Sequence, residues 1–395
     1  MSDRPLLMIP GPVEVSPRVL AAFSTPPPGH LEPRFVAAFA AALERMRRVW
    51  SAPPESQPFV VPGSGTLAME MAAANLLEPG DRALLVNTGV FSDRMAEMLR
   101  RLGAAVREVR APVGDAPSPE AVREALTAER EGPVKALFAT HVDTSTGVRL
   151  DPRPLAEIAA EHGLLAVFDG VCAAGGEPFD MAGLGADVYL TASQKALGLP
   201  PGLALLVASE RALAVRAARR SAPPPLYLDW ASWLPVHQAY EQGKPAYFAT
   251  PATNLVLALE AGLGEILDAG LAECLEAQAR TGRALRAAWS ALGLAPVPVR
   301  PDLEAATISA LRFPAGVDST LVARIAARGV AVAGGLHPEI RSQCFRIGHM
   351  GYVVHRPDLL RRTVEAVAGG LADGGIEADA ERAWAAAAAV LESAG

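Results

Sequence analysis

A chain of 395 residues with a net charge of −7, half of it hydrophobic and a fifth charged, suits a well-packed globular protein of one large and one smaller unit. Its acidic balance argues against nucleic acid or an anionic membrane as the main partner. Only Cys172, Cys274 and Cys344 are present; an odd, widely spaced set fits a reducing compartment and offers no disulfide framework or zinc signature.

The opening MSDRPLLMIPGP has no long apolar run and soon meets prolines, unlike a secretory signal. No apolar stretch approaches the ~20 residues that span a bilayer, so a cytoplasmic protein is expected. From Arg82 to Ser209 short apolar runs alternate with amphipathic segments. Strands are predicted at Ala83–Asn87, Val134–Thr140, Leu164–Asp169, Val188–Ala192 and Leu203–Ala208. They are almost wholly apolar, as strands of a mostly parallel sheet buried on both faces are. Helical patterns at Ser92–Leu102 and Asp151–His162 lie between them, giving an α/β layered architecture. After the prolines of Ala222–Pro225 and the aromatics of Leu228–Tyr240, one long helical stretch from Asn254 to about Leu292 reads as a connector. Beyond it, strands are predicted at Ile308–Phe313, Val330–Val332 and Cys344–Ile347, helices at Ser319–Arg328 and Pro357–Ala372, and an alanine-rich surface helix at Ala378–Ser393. The expected division is therefore a large unit over residues 1–255 and a connecting helix with a small α+β unit over 256–395.

Three features of this layout carry chemistry. Val61-Pro-Gly-Ser-Gly-Thr66 is a glycine-rich turn entering the helical pattern Leu67–Leu77. Such a helix start leaves backbone N–H groups unpaired and binds phosphate, although Ser64 could equally serve as a plain N-cap. The run is neither a P-loop nor a dinucleotide fingerprint. Asp169 ends a buried strand, at the sheet edge where ligands bind in open α/β folds. It could cap a turn, or it could hold a proton on a cationic ring nitrogen. Lys195 follows the next strand, in LTASQKALGLPPG, and can reach the same edge. A phosphate cup, a strand-end acid and a strand-end lysine together suit pyridoxal 5′-phosphate (PLP).

A larger set of motifs runs in order through the chain: Pro10-Gly-Pro12, Ser64-Gly-Thr66, Asn87-Thr-Gly-Val-Phe91, His141-Val-Asp-Thr-Ser-Thr-Gly147, Phe168-Asp-Gly-Val171, Ser193-Gln-Lys195 with Pro200-Pro-Gly202, Tyr247-Phe-Ala-Thr250, and Arg346-Ile-Gly-His-Met-Gly351. With these the sequence resembles the class V aminotransferases of fold type I, in their alanine–glyoxylate and serine–pyruvate branch. The resemblance implies a large domain with a mostly parallel sheet between helices, plus a smaller C-terminal α+β domain. It implies that Lys195 forms the Schiff base with PLP and shuttles the proton, and that Asp169 pairs with the ring nitrogen. Ser64, Gly65, Thr66 and Gln194 would hold the phosphate, Phe91 and Val171 would press on opposite ring faces, and Thr144 would sit near the ring's substituent oxygen. Tyr247 and Thr250 would reach the phosphate of a neighbouring subunit, which requires a homodimer. Arg346 would grip the substrate α-carboxylate, as a bidentate fork suits, and Gly11 would line the substrate side.

Two departures stand out. Cys172 occupies a position where serine is common, and Thr66 replaces the histidine of some members. His141 and His349 read as structural. The implied reaction moves an amino group from alanine or serine to glyoxylate or pyruvate in two ping-pong halves, with no metal. Alternatives are a transaminase of an unusual amine (pyridoxamine or an aminophosphonate) and a lyase of the cysteine desulfurase type. The lyase is disfavoured because Gln194 precedes Lys195 and no cysteine lies in an evident flexible loop. A regulator without turnover would need a DNA-binding domain for which the chain has no spare length.

Overall fold

A computed structural model describes residues 4–128 and 132–393. Its centre is a seven-stranded sheet: β1 (Gln57–Pro62), β2 (Arg82–Asn87), β3 (Ala105–Arg110), β4 (Val134–Thr140), β5 (Leu165–Asp169), β6 (Val188–Ala192) and β7 (Leu203–Ala208). The spatial order is β1-β7-β6-β5-β4-β2-β3. Every strand runs one way except β7, which is antiparallel to both β1 and β6.

Alternate residues of each strand feed two separate cores, as the two-residue period of a strand dictates. Val60, Leu84, Leu137, Phe168, Tyr189 and Leu205 face one side, against the helices Pro33–Val49 and Thr253–Ala269. Phe59, Leu85, Phe138, Val167, Leu190 and Leu206 face the other, against Gly65–Leu76 and Val90–Arg101. This double burial explains the unbroken apolar runs in the sequence. The aromatic cluster after the prolines is the helix Trp230–Glu241, whose Trp230 stacks on Phe59 at 5.5 Å.

The expected single connecting helix is two, Thr253–Ala269 and Leu271–Ala291. Gly270 separates them at φ +94°, a conformation that ends a right-handed helix and favours glycine. The break lets each helix serve a different core. The first packs on the large sheet, whereas Leu285, Ala288 and Trp289 of the second join the core around a three-stranded antiparallel sheet. That sheet has the order Ile308–Arg312, Cys344–Gly348, Ala333–Gly334. The expected strand at Val330–Val332 is split. Val330–Ala331 leaves this sheet and pairs with Leu6–Leu7 from the N-terminus. The C-terminal helix Ala380–Glu392 buries Ala383 and Ala387 in the same core.

Pairing of Leu6–Leu7 with Val330–Ala331 has a consequence for the large sheet. With the Gly348 N–H donating to the Met8 carbonyl at 2.8 Å, it ties the N-terminal loop to the small sheet. Pro10 and Gly11 are thereby carried to the C-terminal edge of the large sheet.

Candidate active site

Four loops converge at that edge: Gly63–Ser64 after β1, Thr88–Gly89 after β2, 141–147 after β4, and 193–202 after β6. Asp169, the last residue of β5, lies directly opposite Thr140 in the parallel register. The convergence follows from strand direction, since parallel strands put all their carboxyl ends on one side.

Lys195 is 8% exposed, and its Nζ donates to the Pro10 carbonyl. Burial, reinforced by the Arg346 charge, lowers its pKa, while Cys172 and Asp169 pull the other way. The amine is thus biased toward its neutral, nucleophilic form. Gly11 is fixed by close approach: at φ +112°, an added Cβ would lie 2.9 Å from both the Gln194 carbonyl oxygen and Lys195 Cδ.

Asp169 is buried and its two oxygens differ. Oδ1 accepts from the Val171 N–H at 2.8 Å, so it does cap the turn. Oδ2 is buried with no partner among the described residues. Burial pushes the carboxyl up to about 7, aided by nearby Asp143 and opposed by the Val171 N–H, Lys195 and Arg94. A buried acid with one orphaned oxygen is poised to receive a cationic N–H.

The phosphate cup is open. Ser64 is the N-cap of Gly65–Leu76, yet its side chain makes no capping bond. The Leu67 and Ala68 N–H groups donate to the Ser64 carbonyl, which leaves those of Gly65 and Thr66 unpaired among the described residues. Gln194 Oε1 is also buried without a partner among the described residues; it only accepts, so any bond from this amide to a phosphate comes from its Nε2. Gly65 sits hard against the Val171 wall: a Cβ there would be 2.7 Å from Val171 Cγ2.

Phe91 opens the helix Val90–Arg101, whose N-cap, Gly89, has no side chain to cap it. Asp143 and Ser145 from the 141–147 loop do so instead. Asp143 Oδ2 accepts from the Phe91 and Ser92 N–H groups at 3.1 and 3.4 Å. Ser145 Oγ accepts from Val90 N–H at 3.0 Å, and Asp143 Oδ1 from the Ser145 N–H at 2.9 Å. Asp143 is fully buried, and burial raises its pKa despite these donors. Sequence reasoning missed its role. The available signal was Asp143-Thr-Ser145, the spacing of an Asx turn.

Arg346 lies on the strand Cys344–Gly348. Its Nε donates to the Gly334 carbonyl at 2.9 Å and its Nη1 to the Thr144 carbonyl at 3.1 Å. The rest of the fork has no hydrogen-bond partner among the described residues, and burial works against its charge. Cys172 is buried beside Thr307, with Sγ–Oγ1 at 3.8 Å, and burial pushes its thiol up. His141 and His349 are fully buried and held down to about 3 by desolvation. Each is neutral at physiological pH, with one ring nitrogen bonded to a hydroxyl: His141 to Tyr189, His349 to Ser309. Tyr247 and Thr250 stand apart. Both are exposed, Tyr247 by 63%, and neither bonds to the cluster around Lys195 in the single chain.

PLP matches this set of groups. The orphaned Asp169 oxygen meets the need of a cationic ring nitrogen, the unpaired N–H groups and Gln194 amide that of a phosphate, and the buried amine that of an aldehyde. Comparison with known proteins agrees. The class V aminotransferase family model matches residues 28–350. Alanine–glyoxylate aminotransferase 1 of Saccharomyces cerevisiae is 36% identical over 87% of this chain and 91% of its own length. An L-aspartate–glyoxylate aminotransferase of Paracoccus denitrificans is 33% identical over 89% and 87%. The solved pyridoxamine–pyruvate aminotransferase of Mesorhizobium loti superposes with a TM-score of 0.91 at 27% identity, over 100% of this chain and 98% of its own. No helix among the described residues is long and apolar enough to cross a membrane. The chain belongs to the class V aminotransferases, PLP-dependent enzymes built on an α/β fold with a mostly parallel central sheet.

Proposed function

We propose that this enzyme moves an amino group from a small amino acid, alanine or serine, to a 2-oxo acid, glyoxylate or pyruvate, in two ping-pong halves. The observation that carries the reading is the buried Lys195 amine, with lowered pKa, within electrostatic reach of both the Asp169 carboxyl, whose Oδ2 is orphaned, and the Arg346 guanidinium. Glyoxylate as acceptor is supported by the names of the yeast and Paracoccus relatives.

In this reading each residue has its own task. Lys195 would hold the cofactor's aldehyde through its Nζ, and the same amine, biased toward neutrality by burial, would be the base that moves the proton of the substrate Cα. Asp169 Oδ2 would accept the ring N–H and keep that nitrogen protonated, an ion pair that would offset the burial of the carboxylate. When bound, PLP supplies an electron sink for the pair left at Cα and carries the amino group between the half-reactions. Arg346 orients the α-carboxylate through its free N–H groups. Ser64, Gly65, Thr66 and Gln194 would hold the phosphate, Phe91 and Val171 would press on opposite ring faces, Thr144 would stand by its substituent oxygen, and Gly11 leaves room beside Lys195. Tyr247 and Thr250, exposed on one chain, would complete the phosphate site of a second copy in a homodimer. We place the enzyme in the cytoplasm and divide it into a large PLP-binding unit over 1–255 and a small unit over 256–395.

The full-length superposition on the Mesorhizobium enzyme favours pyridoxamine as a second candidate donor. One experiment separates the readings: the visible spectrum of the PLP-loaded protein is followed while alanine, serine, aspartate and pyridoxamine are added singly. Bleaching by alanine or serine, reversed by glyoxylate or pyruvate, is expected, and Lys195→Ala should retain PLP without turnover. A response to pyridoxamine alone would overturn the amino-acid reading.

A further inference from the structure

The helix Val90–Arg101 carries three arginines, and two are spent on carboxylates: Arg100 on Glu108, and Arg101 on Glu97 at 2.7 Å. Nearby Arg110 is likewise paired, with Asp93 at 2.5 Å. Arg94 has no carboxylate partner among the described residues. Its Nη1 donates instead to the Thr66 hydroxyl at 3.1 Å, and its guanidinium carbon lies 4.8 Å from the Phe91 ring centroid. Its charge also reaches Asp169, where it acts against the effect of burial. One unneutralised cation thus touches two parts of the proposed cofactor site, the phosphate cup and the stacking ring.

Hydrogen-bond direction adds a constraint. A guanidinium only donates, so Thr66 Oγ1 must accept from Arg94, and the hydroxyl's own proton is left for another acceptor. Thr66 is the second residue of its helix, beside the unpaired N–H groups of the cup. A phosphate there carries close to two negative charges, which a helix end with about half a positive charge does not balance.

We propose that Arg94 is a positioning residue for the cofactor phosphate, acting through Thr66. The guanidinium fixes Thr66 Oγ1 as its acceptor, commits the Thr66 O–H to a phosphate oxygen, and brings a full positive charge to the rim of the cup. Its place over Phe91 holds the ring wall in register with that cup. The inference rests on PLP being the cofactor of this site.

The test compares ligands with and without the phosphate. Apo-protein is titrated with PLP and with pyridoxal, and inorganic phosphate is measured as a competitor of PLP. Arg94→Gln should weaken PLP and inorganic phosphate about tenfold, as loss of one charge-assisted hydrogen bond does, and leave pyridoxal unchanged. Thr66→Val should do the same, and the double variant should be no weaker than the single ones, because the two side chains act in series. Arg94→Lys, which keeps the charge, should recover part of the loss. Equal weakening of PLP and pyridoxal would overturn the proposal, since Arg94 would then serve only the Phe91 wall; so would additive losses in the double variant. A wild type that binds PLP and phosphate normally, with Arg94→Gln indistinguishable from it, overturns this proposal alone. A wild type that binds neither overturns the reading of the site as well.

Discussion

Replacing Asp169 by asparagine should stabilise the cofactor-free protein at pH 8 while destroying its activity. The folded chain holds the Asp169 proton up to about 7, against an ordinary value of 3.8. Between these pH values the folded state binds more protons than the unfolded one, so stability falls as pH rises through the window and is level above it. At about 1.36 kcal/mol per pH unit the full loss is about 4 kcal/mol. Asparagine carries no such loss. Its Oδ1 can keep the Val171 N–H, but its Nδ2 leaves two donors unpaired where the protonated acid leaves one, which costs about 1–3 kcal/mol relative to that acid. The variant should therefore be less stable than wild type below pH 4 and more stable by about 1–3 kcal/mol at pH 8. Urea unfolding of both apo-proteins from pH 4 to 8.5 measures this by tryptophan fluorescence, with Trp50 and Trp230 in the cores on either side of the large sheet. Buried Glu177, also pushed up to about 7, is common to both chains and cancels in the difference. A wild-type minus variant difference that stays constant from pH 5 to 8 would refute the reasoning. With PLP added, turnover of the variant should fall by about 10³ or more.

Arg346→Gln should raise KM for an α-amino acid about 10–100-fold, the effect of losing a charge-assisted contact to a carboxylate; steady-state kinetics showing an unchanged KM would take Arg346 out of the substrate site. Gly11→Ala should cost about 1–3 kcal/mol in urea unfolding, because the new Cβ meets Lys195 and the Gln194 carbonyl at a positive φ. The same variant should lose the visible PLP band as Lys195 is displaced, and a normal band would show that the loop yields.

Much of the large sheet is legible because its inner strands are buried on both faces. Runs such as LLVN, ALFAT and LALLVA admit few other readings. Two strands escape for opposite reasons. β3, AVREVR, is an edge strand whose Arg107, Glu108 and Arg110 sit at half-buried or exposed positions, so it lacks an apolar run. β1, QPFVVP, is bracketed by prolines, which normally punctuate turns; it tolerates them at its ends, where the ladder asks least of their missing N–H groups. The break at Gly270 is similarly local. A helical period continues on both sides, and only the need to serve two cores shows why the helix stops there.

At the site, legibility follows how far a residue's role depends on its neighbours in space. Lys195 and Asp169 announce themselves because an ionisable group at the end of a buried strand has few structural uses. Asp143 and Arg94 do not, since an aspartate in a turn and an arginine on a helix are ordinary in sequence. Asp143 gains its importance by capping a helix that begins 53 residues earlier, Arg94 by bonding across to Thr66 on another helix. Tyr247 and Thr250 go further: Tyr247 meets only the His30 ring, at 5.3 Å, away from the cluster around Lys195, and only the resemblance gives the pair work at a cofactor. The energetics favour the same division. Lys195 is held toward neutrality and Asp169 toward protonation, each against the form it would take in water. A cationic ring nitrogen would pair with the Asp169 carboxylate and an aldehyde would use the uncharged Lys195 amine, so a group carrying both would add stability when it binds.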